Sequence, residues 1–501
     1  MSGQYAALVE HLGDVESLGR IENVLGWDQQ VNMPPGGAPA RARQLATLAR
    51  IRHELFVSEK TARLLEDAAR EIEGMAYDSQ EASFVRVAQA DYDDEAKLPA
   101  SYVAEFTRVT AEAHEVWAQA RAQKNFAHFR PTLERIVDLV IQGAEYRGYS
   151  EHPYDACVNQ FERGITTARV REIFEGHKPQ LIALIAEVTR SADRVSDAVL
   201  RQPFSVDAQR GFGLDAVKQF GYDMARGHQA VAVHPFMSAF SRGDARITTR
   251  FYDNWLNPAL FGMMHEAGHA MYEQGIGEAL DGTILGTGTS LAVHESQSRM
   301  WENLVGRSRG FWQWALPRLQ AHFPGQFDGV SVDDFYRAIN KVARSFIRVE
   351  ADEATYNLHI MLRFEIETGL VSGQIKVADL PREWNDRFET FFGLTPPDDA
   401  QGVLQDVHWS AGYIGYFPTY ALGNLLSVQY YNRALQDHPG IPDEIAQGKF
   451  DTLLSWLNEH IHVHGRKFTS DELTRRVTGE GIQSRDYIAY LERKLGEIYG
   501  L

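Results

Sequence analysis

Cysteine is almost missing from this chain of 501 residues. The single cysteine, Cys157, excludes an intrachain disulfide and is typical of a protein that works in a reducing compartment. Its neighbours Tyr154, Ala156 and Val158 are largely apolar. We therefore predict that the Cys157 thiol is buried in the core and does not act as a nucleophile.

Long apolar segments are absent as well. No run of about 18 apolar residues occurs, so the sequence predicts no membrane-spanning helix. The first ten residues lack the basic cluster and the apolar segment of a secretory signal peptide. We therefore expect a cytoplasmic protein that has no membrane partner.

Positive charge is in deficit. The chain has 50 Lys and Arg against 68 Asp and Glu, which gives a formal net charge of −18 and a pI near 5.5. Proteins that bind nucleic acid need clustered Lys and Arg to neutralise the phosphates. The composition therefore argues against a nucleic-acid partner.

Linker-like segments are also lacking. A chain of this length could hold about three domains, yet it has no Pro/Ser-rich linker, no block of like charge and no internal repeat. Apolar residues recur at helical spacing through most of the chain, for example in residues 38–56 and 105–123. The sequence therefore predicts one large, mainly helical body.

The segment Phe261–Tyr272 carries the clearest chemical motif, a His-Glu-x-x-His pattern. On a helix with about 3.6 residues per turn, His265 and His269 lie on the same face and can bind one metal ion. Glu266 then lies beside the metal, where its carboxylate can act as the general base for a water molecule. Most neighbouring residues are apolar, and burying these three polar side chains without a partner would be costly.

A hydrolytic zinc site usually has three protein ligands and one open position. The residues directly after His269 include no further histidine. A later helical stretch contains Glu295, and the Gly/Thr-rich segment 281–290 before it lets the chain reverse so that the two helices can pack together. We predict Glu295 as the third ligand, with Glu302 and Glu273 as the alternatives.

Before the metal helix, the apolar pattern changes from helical spacing to alternation. The runs 230–236 and 245–251 are rich in β-branched residues and are separated by the turn sequence Ser241–Asp244. This pattern predicts a β-hairpin whose edge could pair with a peptide substrate. His234 and Arg246 would then border the substrate.

Further side chains with chemical potential occur in the C-terminal third. Arg348 lies one helical turn before Asp352, so an ion pair between them could orient the guanidinium. His408, Tyr416 and Tyr420 follow in a segment rich in glycine and aromatic residues. A His or Tyr side chain near the metal could donate a hydrogen bond to the oxyanion of a tetrahedral intermediate.

Several strings, in this order along the chain, resemble those of one known family. They are Trp27-Asp28-Gln29, His234-Pro235-Phe236, Asp244-Ala-Arg246-Ile-Thr248, His265-Glu266-x-x-His269, His294-Glu295-Ser296-Gln297, Ile347-Arg348-Val-Glu-Ala351-Asp352 and Gly402-Val-Leu-Gln405-Asp406-Val-His408-Trp409. On these strings the sequence is identified as a member of the thermostable metallocarboxypeptidase family, the carboxypeptidase Taq group of His-Glu-x-x-His peptidases. No metal or base position departs from the family pattern.

This resemblance implies a mainly α fold, a large single helical domain with a deep active-site groove and a small β-sheet beside the metal helix. Residues 1–230 would form a helical wall or lid, and residues 231–501 would hold the metal site and the catalytic residues. The resemblance also implies a homodimer with one Zn²⁺ ion per chain, for which Co²⁺ can substitute.

The implied reaction is hydrolysis of the C-terminal peptide bond of peptides and proteins, with broad specificity and Glu266 as the general base. Such an enzyme must recognise a free α-carboxylate, which arginine can bind through two parallel hydrogen bonds. We predict Arg348 as the main contact and Arg246 as its support or as a residue of the adjoining subsite. Each has an acidic neighbour, Asp352 or Asp244, that could orient its guanidinium. The other expected site residues are His265, His269 and Glu295 for the metal, His408 and Tyr420 for catalysis, and His234 and Tyr416 for substrate.

Two other functions stay open on the sequence. The same metal ligands would serve an oligopeptidase that cuts internal bonds of short peptides, and only a site for the terminal carboxylate separates the two activities. The second alternative is a helical scaffold without catalytic activity. Metal analysis would test it, because a scaffold has no need of one ion per chain.

Overall fold

The structure is a computed structural model, and it describes residues 3–501. The described chain is mainly α-helical with one small sheet, which confirms the predicted fold class. The helices are α1 (Gln4–Val31), α2 (Ala38–Phe56), α3 (Glu59–Glu71), α4 (Gln80–Ala96), α5 (Ala100–Ala122), α6 (Phe126–Arg147), α7 (Pro153–Val158), α8 (Thr167–Glu175), α9 (Lys178–Arg190), α10 (Val206–Phe220), α11 (Asn257–Gly275), α12 (Leu291–Arg299), α13 (Arg309–His322), α14 (Val332–Ile339), α15 (Tyr356–Val371), α16 (Leu380–Phe392), α17 (Pro418–Asp437), α18 (Ile441–Ala446), α19 (Asp451–His460), α20 (Ser470–Thr478) and α21 (Arg485–Tyr499).

Two of these helices test the apolar periodicity directly. The predicted helix 38–56 is α2, and the predicted helix 105–123 is α5, which begins earlier because Pro99 stands at its N-cap. Among residues 3–501, none of the helices combines the length and the apolar character needed to cross a bilayer.

The described residues form two compact units, each assembled from three segments of the chain. The first unit comprises the N-terminal part up to Ala96 together with Asp197–Ile339 and Tyr430–Glu480. The second comprises Lys97–Ser196, Asn340–Gln429 and Gly481–Leu501. The His-Glu-x-x-His helix therefore belongs to the first unit. The single peptidase domain stays a prediction.

The sheet of the first unit has three strands in the order β1-β3-β2, where β1 is Gly227–Val231, β2 is Met237–Ser241 and β3 is Asp244–Thr249. β2 and β3 form an antiparallel hairpin, whereas β1 runs parallel to β3. The predicted hairpin between runs 230–236 and 245–251 is therefore wrong, because the first run is divided between β1 and a connection. Pro235 lies in that connection, and proline cannot donate to a strand ladder.

Cys157 lies in α7 of the second unit and is buried, as the sequence predicts. Burial raises the pKa of its thiol to about 12. A thiol with so high a pKa carries almost no thiolate at neutral pH. The position of Cys157 therefore agrees with a structural side chain.

Candidate metal centre

Helix α11 is buried on almost every side, which is unusual for a helix that carries several polar side chains. Its buried apolar residues include Leu260, Phe261, Met263, Met264 and Met271. His265 and His269 lie one turn apart, with ring centroids 4.9 Å from each other. The helix therefore presents two imidazoles side by side within an apolar environment.

Gly268 lets the second helix of the site approach the first. A Cβ atom at this glycine would lie 2.6 Å from the Cα atom of Ser298 and 2.8 Å from the carbonyl oxygen of Gln297, which are both in α12. Helix α12 begins at a Ser290 cap whose hydroxyl accepts a backbone hydrogen bond. This packing brings Glu295 to the two histidines.

The three predicted ligand atoms converge. The Oε2 atom of Glu295 lies 3.7 Å from Nε2 of His265 and 3.6 Å from Nε2 of His269, and all three side chains place a ligand atom within 4.8 Å of the others. Donor atoms about 2.1 Å from a tetrahedral ion lie roughly 3.4 Å from one another. The donor set and its spacing therefore fit a divalent metal ion.

Glu266 is buried next to this cluster. Burial raises the pKa of its carboxyl group to about 7; His265 opposes this rise, while Glu295 and Glu302 add to it. A carboxylate with a pKa near neutrality can both accept and release a proton. The environment therefore suits the general-base role that the motif predicts.

Glu302 contacts the other nitrogen of His265. It lies in a π-helix, Met300–Val305, that continues α12, and its Oε2 atom lies 3.0 Å from Nδ1 of His265. Arg299 donates to Oε2 of Glu302 at 3.1 Å and to Oε1 of Glu295 at 2.7 Å. Burial raises the pKa of Glu302, but Arg299 and His265 lower it further, so the group is held as a carboxylate. Glu302 thus holds the ring of a predicted ligand from outside the cluster.

His269 has a different neighbour on its outer nitrogen. Its Nδ1 atom lies 2.7 Å from Nδ1 of His294, and Nε2 of His294 lies 2.9 Å from Oε1 of Glu273. Burial raises the pKa of Glu273, but the contacts with His294 and Thr287 lower it below its ordinary value. The sequence motifs contained His294 without giving it a role. The signal that could have assigned a role to this group was Glu273, which lies one turn beyond His269 on α11.

Arg348, in the second unit, does not pair with Asp352, and that prediction is wrong. Its Nε and Nη2 atoms donate to Oδ1 of Asp406 at 3.0 and 2.8 Å, and Nη1 donates to the Tyr356 hydroxyl at 2.8 Å. Arg348 begins a short 3₁₀ turn, so the α-helical spacing assumed for the pair does not apply. Asp352 instead accepts backbone hydrogen bonds just before α15.

Asp406 also binds a second arginine that sequence reasoning missed. Nε of Arg363 donates to Oδ2 of Asp406 at 2.7 Å, and the Arg363 side chain is fully buried. Burial raises the pKa of Asp406, but Arg348 and Arg363 lower it far more. Two guanidinium groups and one carboxylate leave a buried net positive charge. A charged residue within the apolar sequence of α15 was the available signal.

The predicted site residues His408, Tyr416 and Tyr420 lie together beside Arg348. Nε2 of His408 lies 3.4 Å from the Tyr420 hydroxyl, and the His408 and Tyr416 rings are 5.3 Å apart. The Arg348 guanidinium stands 5.1 Å from the centre of the Tyr420 ring. Burial and the charge of Arg348 lower the pKa of His408 to about 3. His408 is therefore a neutral imidazole at physiological pH.

A buried carboxylate anchors the segment that carries these residues. Glu367 accepts hydrogen bonds from the Tyr154 hydroxyl at 2.7 Å, the Trp409 indole at 2.8 Å and the Gly415 backbone at 3.1 Å. Burial raises the pKa of Glu367 to about 7, although these donors oppose the shift. The anchor holds both ends of the loop between His408 and α17.

Arg246 and His234 lie in or near the sheet of the first unit. Arg246 donates from Nε and Nη2 to the two carboxylate oxygens of Asp244 at 2.8 and 2.7 Å, so the predicted pair is confirmed. Its guanidinium also stands 4.8 Å from the centre of the Phe240 ring. His234 is exposed in the connection between β1 and β2.

Comparison with known proteins decides the family. The family model described as "Carboxypeptidase Taq (M32) metallopeptidase" matches residues 7–495. The chain belongs to the M32 metallocarboxypeptidase family. It is therefore a peptide hydrolase that uses a divalent metal, and the resemblance seen in the sequence motifs is confirmed.

Relatives of the M32 chain span nearly its whole length. "Thermostable carboxypeptidase 1" of Thermus thermophilus is 38% identical over 510 residues, which cover 99% of each chain. "Carboxypeptidase 1" of Bacillus subtilis is 36% identical over 476 residues and 95% of each chain. The crystal structure of an M32 carboxypeptidase from Deinococcus radiodurans superposes with a TM-score of 0.96, at 40% identity, over 99% of this chain and 100% of that one.

The M32 family requires a metal, and the described chain offers one place for it. Among residues 3–501, His265, His269 and Glu295 are the group of three His, Cys, Asp or Glu side chains whose ligand atoms converge. Two imidazoles with one carboxylate are also a ligand set of catalytic zinc sites. The residues present therefore fit the metal that the family implies.

Proposed function

We propose that this M32 enzyme is a zinc-dependent carboxypeptidase that removes C-terminal residues from peptides and proteins with broad side-chain specificity. The observation that carries the proposal is that one chain contains both a His-His-Glu cluster and a buried cluster of two arginines around Asp406. The first supplies hydrolytic chemistry, and the second supplies a site for a carboxylate.

In this proposal, His265, His269 and Glu295 hold the zinc ion. When bound, the ion lowers the pKa of a water molecule and polarises the scissile carbonyl group. Glu266 takes the proton of that water and delivers it to the nitrogen of the leaving amine. The pKa of about 7 that burial gives Glu266 allows one carboxyl group to perform both transfers.

Arg348 is proposed to bind the α-carboxylate of the substrate. Its side chain is buried and makes three hydrogen bonds, to Asp406 and Tyr356. A guanidinium has five N–H donors, so two are left for an incoming carboxylate. Arg363 neutralises the other oxygen of Asp406, which leaves the positive charge of Arg348 effective towards an anion. Arg246 is proposed to support this contact.

His408 and Tyr420 are proposed to donate hydrogen bonds to the oxyanion of the tetrahedral intermediate, and Tyr416 and His234 to line the substrate. A neutral His408 carries one N–H donor and no charge, so it can interact with the oxyanion only through a hydrogen bond. Directed donors of this kind typically contribute about 10²- to 10³-fold in kcat.

A pair of matched peptides tests the carboxypeptidase proposal. The peptides have one sequence and differ only in a free or amidated C-terminus, and mass spectrometry follows their products. Loss of a charge-assisted contact costs about 2 to 5 kcal/mol, so we expect the amide to be cleaved at least about thirty-fold more slowly. Products should shorten by one residue at a time. Equal cleavage of both peptides, or internal fragments, would support the oligopeptidase function instead.

Arg348→Ala tests the residue assigned to the carboxylate. We expect kcat/KM on the free acid to fall roughly thirty-fold or more and the difference between acid and amide to disappear. Arg344→Ala is the matched control, because Arg344 is an exposed arginine of the same segment. A loss that is equal on both peptides would show a structural effect and would contradict the assignment.

We further propose that the protein is cytoplasmic and acts as a homodimer with one zinc ion per chain, which Co²⁺ can replace. The single cysteine, which is typical of a reducing compartment, supports the first part of this proposal. Light scattering on the purified protein should give twice the chain mass of 56.5 kDa, and metal analysis should give one zinc per chain. A monomeric mass would contradict the proposed homodimer. An active enzyme without metal would contradict the proposed zinc requirement.

A further inference from the structure

The two histidines of the metal cluster differ in what they meet on the nitrogen that faces away from it. His265 meets a carboxylate directly, since its Nδ1 atom lies 3.0 Å from Glu302. His269 meets another imidazole, His294, and a carboxylate follows only beyond that ring, at Glu273. The second arrangement is a three-member chain of hydrogen bonds.

Only one arrangement of protons is consistent with these three hydrogen-bonded side chains. When Nε2 of His269 is the metal-binding atom, its proton must be on Nδ1, which makes Nδ1 a donor. Nδ1 of His294, at 2.7 Å, then has to accept. The proton of a neutral His294 is therefore on Nε2, where Oε1 of Glu273 accepts it at 2.9 Å.

We propose that His294 and Glu273 are positioning residues: Glu273 fixes the tautomer of His294, and His294 fixes the ring and the proton of His269, which sets the metal affinity of the cluster. This inference rests on the ligand role proposed for His269. Neither residue touches substrate in this scheme.

The surroundings hold the chain of hydrogen bonds in place. Glu273 is 2% exposed, and its Oε1 atom also accepts from the Thr287 hydroxyl at 2.9 Å and the Gly288 backbone at 3.1 Å. A Cβ atom at Gly288 would lie 2.7 Å from Cδ2 of His294 and 2.8 Å from Cε1 of Tyr272. Only glycine leaves room there for the His294 ring, so the loop before α12 closes directly on it.

Zinc affinity is the direct readout. His294→Leu removes the acceptor and should weaken zinc binding about 10- to 100-fold, as for other partners of metal ligands. His294→Asn keeps an acceptor near the position of Nδ1 and should recover most of the loss. His462→Asn is the control, since His462 is a buried imidazole of the same unit whose two ring nitrogens face Asn458 and Gln297 instead of His294 or Glu273. Its zinc affinity should equal that of the wild type.

Glu273 gives an independent test that keeps the core filled. Glu273→Gln can still accept from His294 but lacks the charge, so we expect a several-fold loss of zinc affinity in a folded protein. Glu273→Leu should lose more. Since Glu273 acts through His294, adding Glu273→Leu to His294→Leu should cause no further loss, whereas independent roles would give additive losses.

The spectrum of the cobalt-loaded protein separates positioning from general stability. His294→Leu should shift the visible bands of the bound ion, His294→Asn should restore them, and His462→Asn should leave them unchanged. Unchanged zinc affinity and spectrum in His294→Leu would overturn the inference but leave the proposed function intact. Unchanged zinc binding in His269→Ala would overturn the ligand assignment as well.

Discussion

Four buried glutamates around the metal cluster show how the environment sets the chemistry of one residue type. Glu302 contacts Arg299 and Glu273 contacts His294 and Thr287, and both carboxyl groups have lowered pKa values. Glu266 has no hydrogen-bonded cation, so burial raises its pKa to about 7. Glu295 is the one whose oxygen faces both histidines. The partner of each carboxylate, rather than residue type or burial alone, therefore distinguishes the glutamates proposed as base, as ligand and as support.

Glu266→Gln is the residue-scale test of this division. Glutamine has the shape of glutamate but cannot take a proton, so kcat should fall by several orders of magnitude. Metal content should stay near that of the wild type, because Glu266 is not assigned as a ligand. Activity assays and metal analysis on the same preparation measure both quantities.

Glu295→Ala is the contrasting variant. It removes an assigned ligand, so zinc and activity should be lost together. Tightly bound zinc in Glu295→Ala would move the third ligand to Glu302 or Glu273. Loss of zinc in Glu266→Gln would contradict the assignment of Glu266 as the base.

At the scale of elements, the site depends on how closely α11 and α12 approach. Gly268 faces backbone atoms of α12, which cannot rotate away as a side chain could. The π-helix that follows α12 then places Glu302 against His265. The position of both carboxylates therefore depends on the spacing between these two elements.

Gly268→Ala should disturb that spacing. The added methyl group would lie 2.6 Å from the Cα atom of Ser298, so α12 must shift, and overpacking of this kind costs typically about 1 to 3 kcal/mol. We expect a lower midpoint of thermal unfolding and at least about ten-fold weaker zinc binding. Gly262→Ala is the control on the same helix, because its nearest neighbour is 4.0 Å away. Equal behaviour of the two variants would contradict the close-packing explanation.

At the scale of the whole molecule, buried neutral histidines should govern the response to acid. His177, His359 and His462 are each fully buried. Burial lowers the pKa of His177 to about 4 and that of His462 to about 3, and it lowers the pKa of His359 well below its ordinary value of 6.5. Each group stays neutral in the folded protein but takes up a proton when the chain unfolds.

Stability should therefore fall as the pH falls from about 6.5 to 4, since the unfolded state binds more protons in that window. Each such histidine makes unfolding about ten-fold more favourable per pH unit. His265, Glu266 and Glu367 have raised pKa values and act in the opposite direction, whereas His269, His408 and His464 have lowered pKa values and add to the fall. Denaturant unfolding at several pH values measures the slope.

His177→Phe removes one of these histidines. The slope of the free energy of unfolding against pH should therefore become shallower by the contribution of that one group. His438→Gln, at an exposed histidine, should leave the slope as in the wild type. Release of metal in acid affects all three proteins alike, so the difference between them isolates the buried group. An unchanged slope in His177→Phe would contradict the prediction.

Local spacing determined much of this protein from the sequence alone. The period of the apolar residues predicted a mainly helical chain, the interval from His265 to His269 placed two imidazoles on one face, and the pair Asp244 and Arg246 was correct. These features depend on backbone geometry within one or two turns of helix or strand. Short-range geometry is a property of the sequence itself.

Only the tertiary structure decided the distant partners. Asp406 is 58 positions from Arg348 and replaces Asp352 as its partner, and it also binds Arg363. His294 reaches His269 across 25 positions. Such pairs depend on which segments pack together, and packing is set by the whole core rather than by the residues of the pair. For this reason the sequence could predict the spacing of the two proposed ligands on α11 but not the side chains that contact their outer nitrogens.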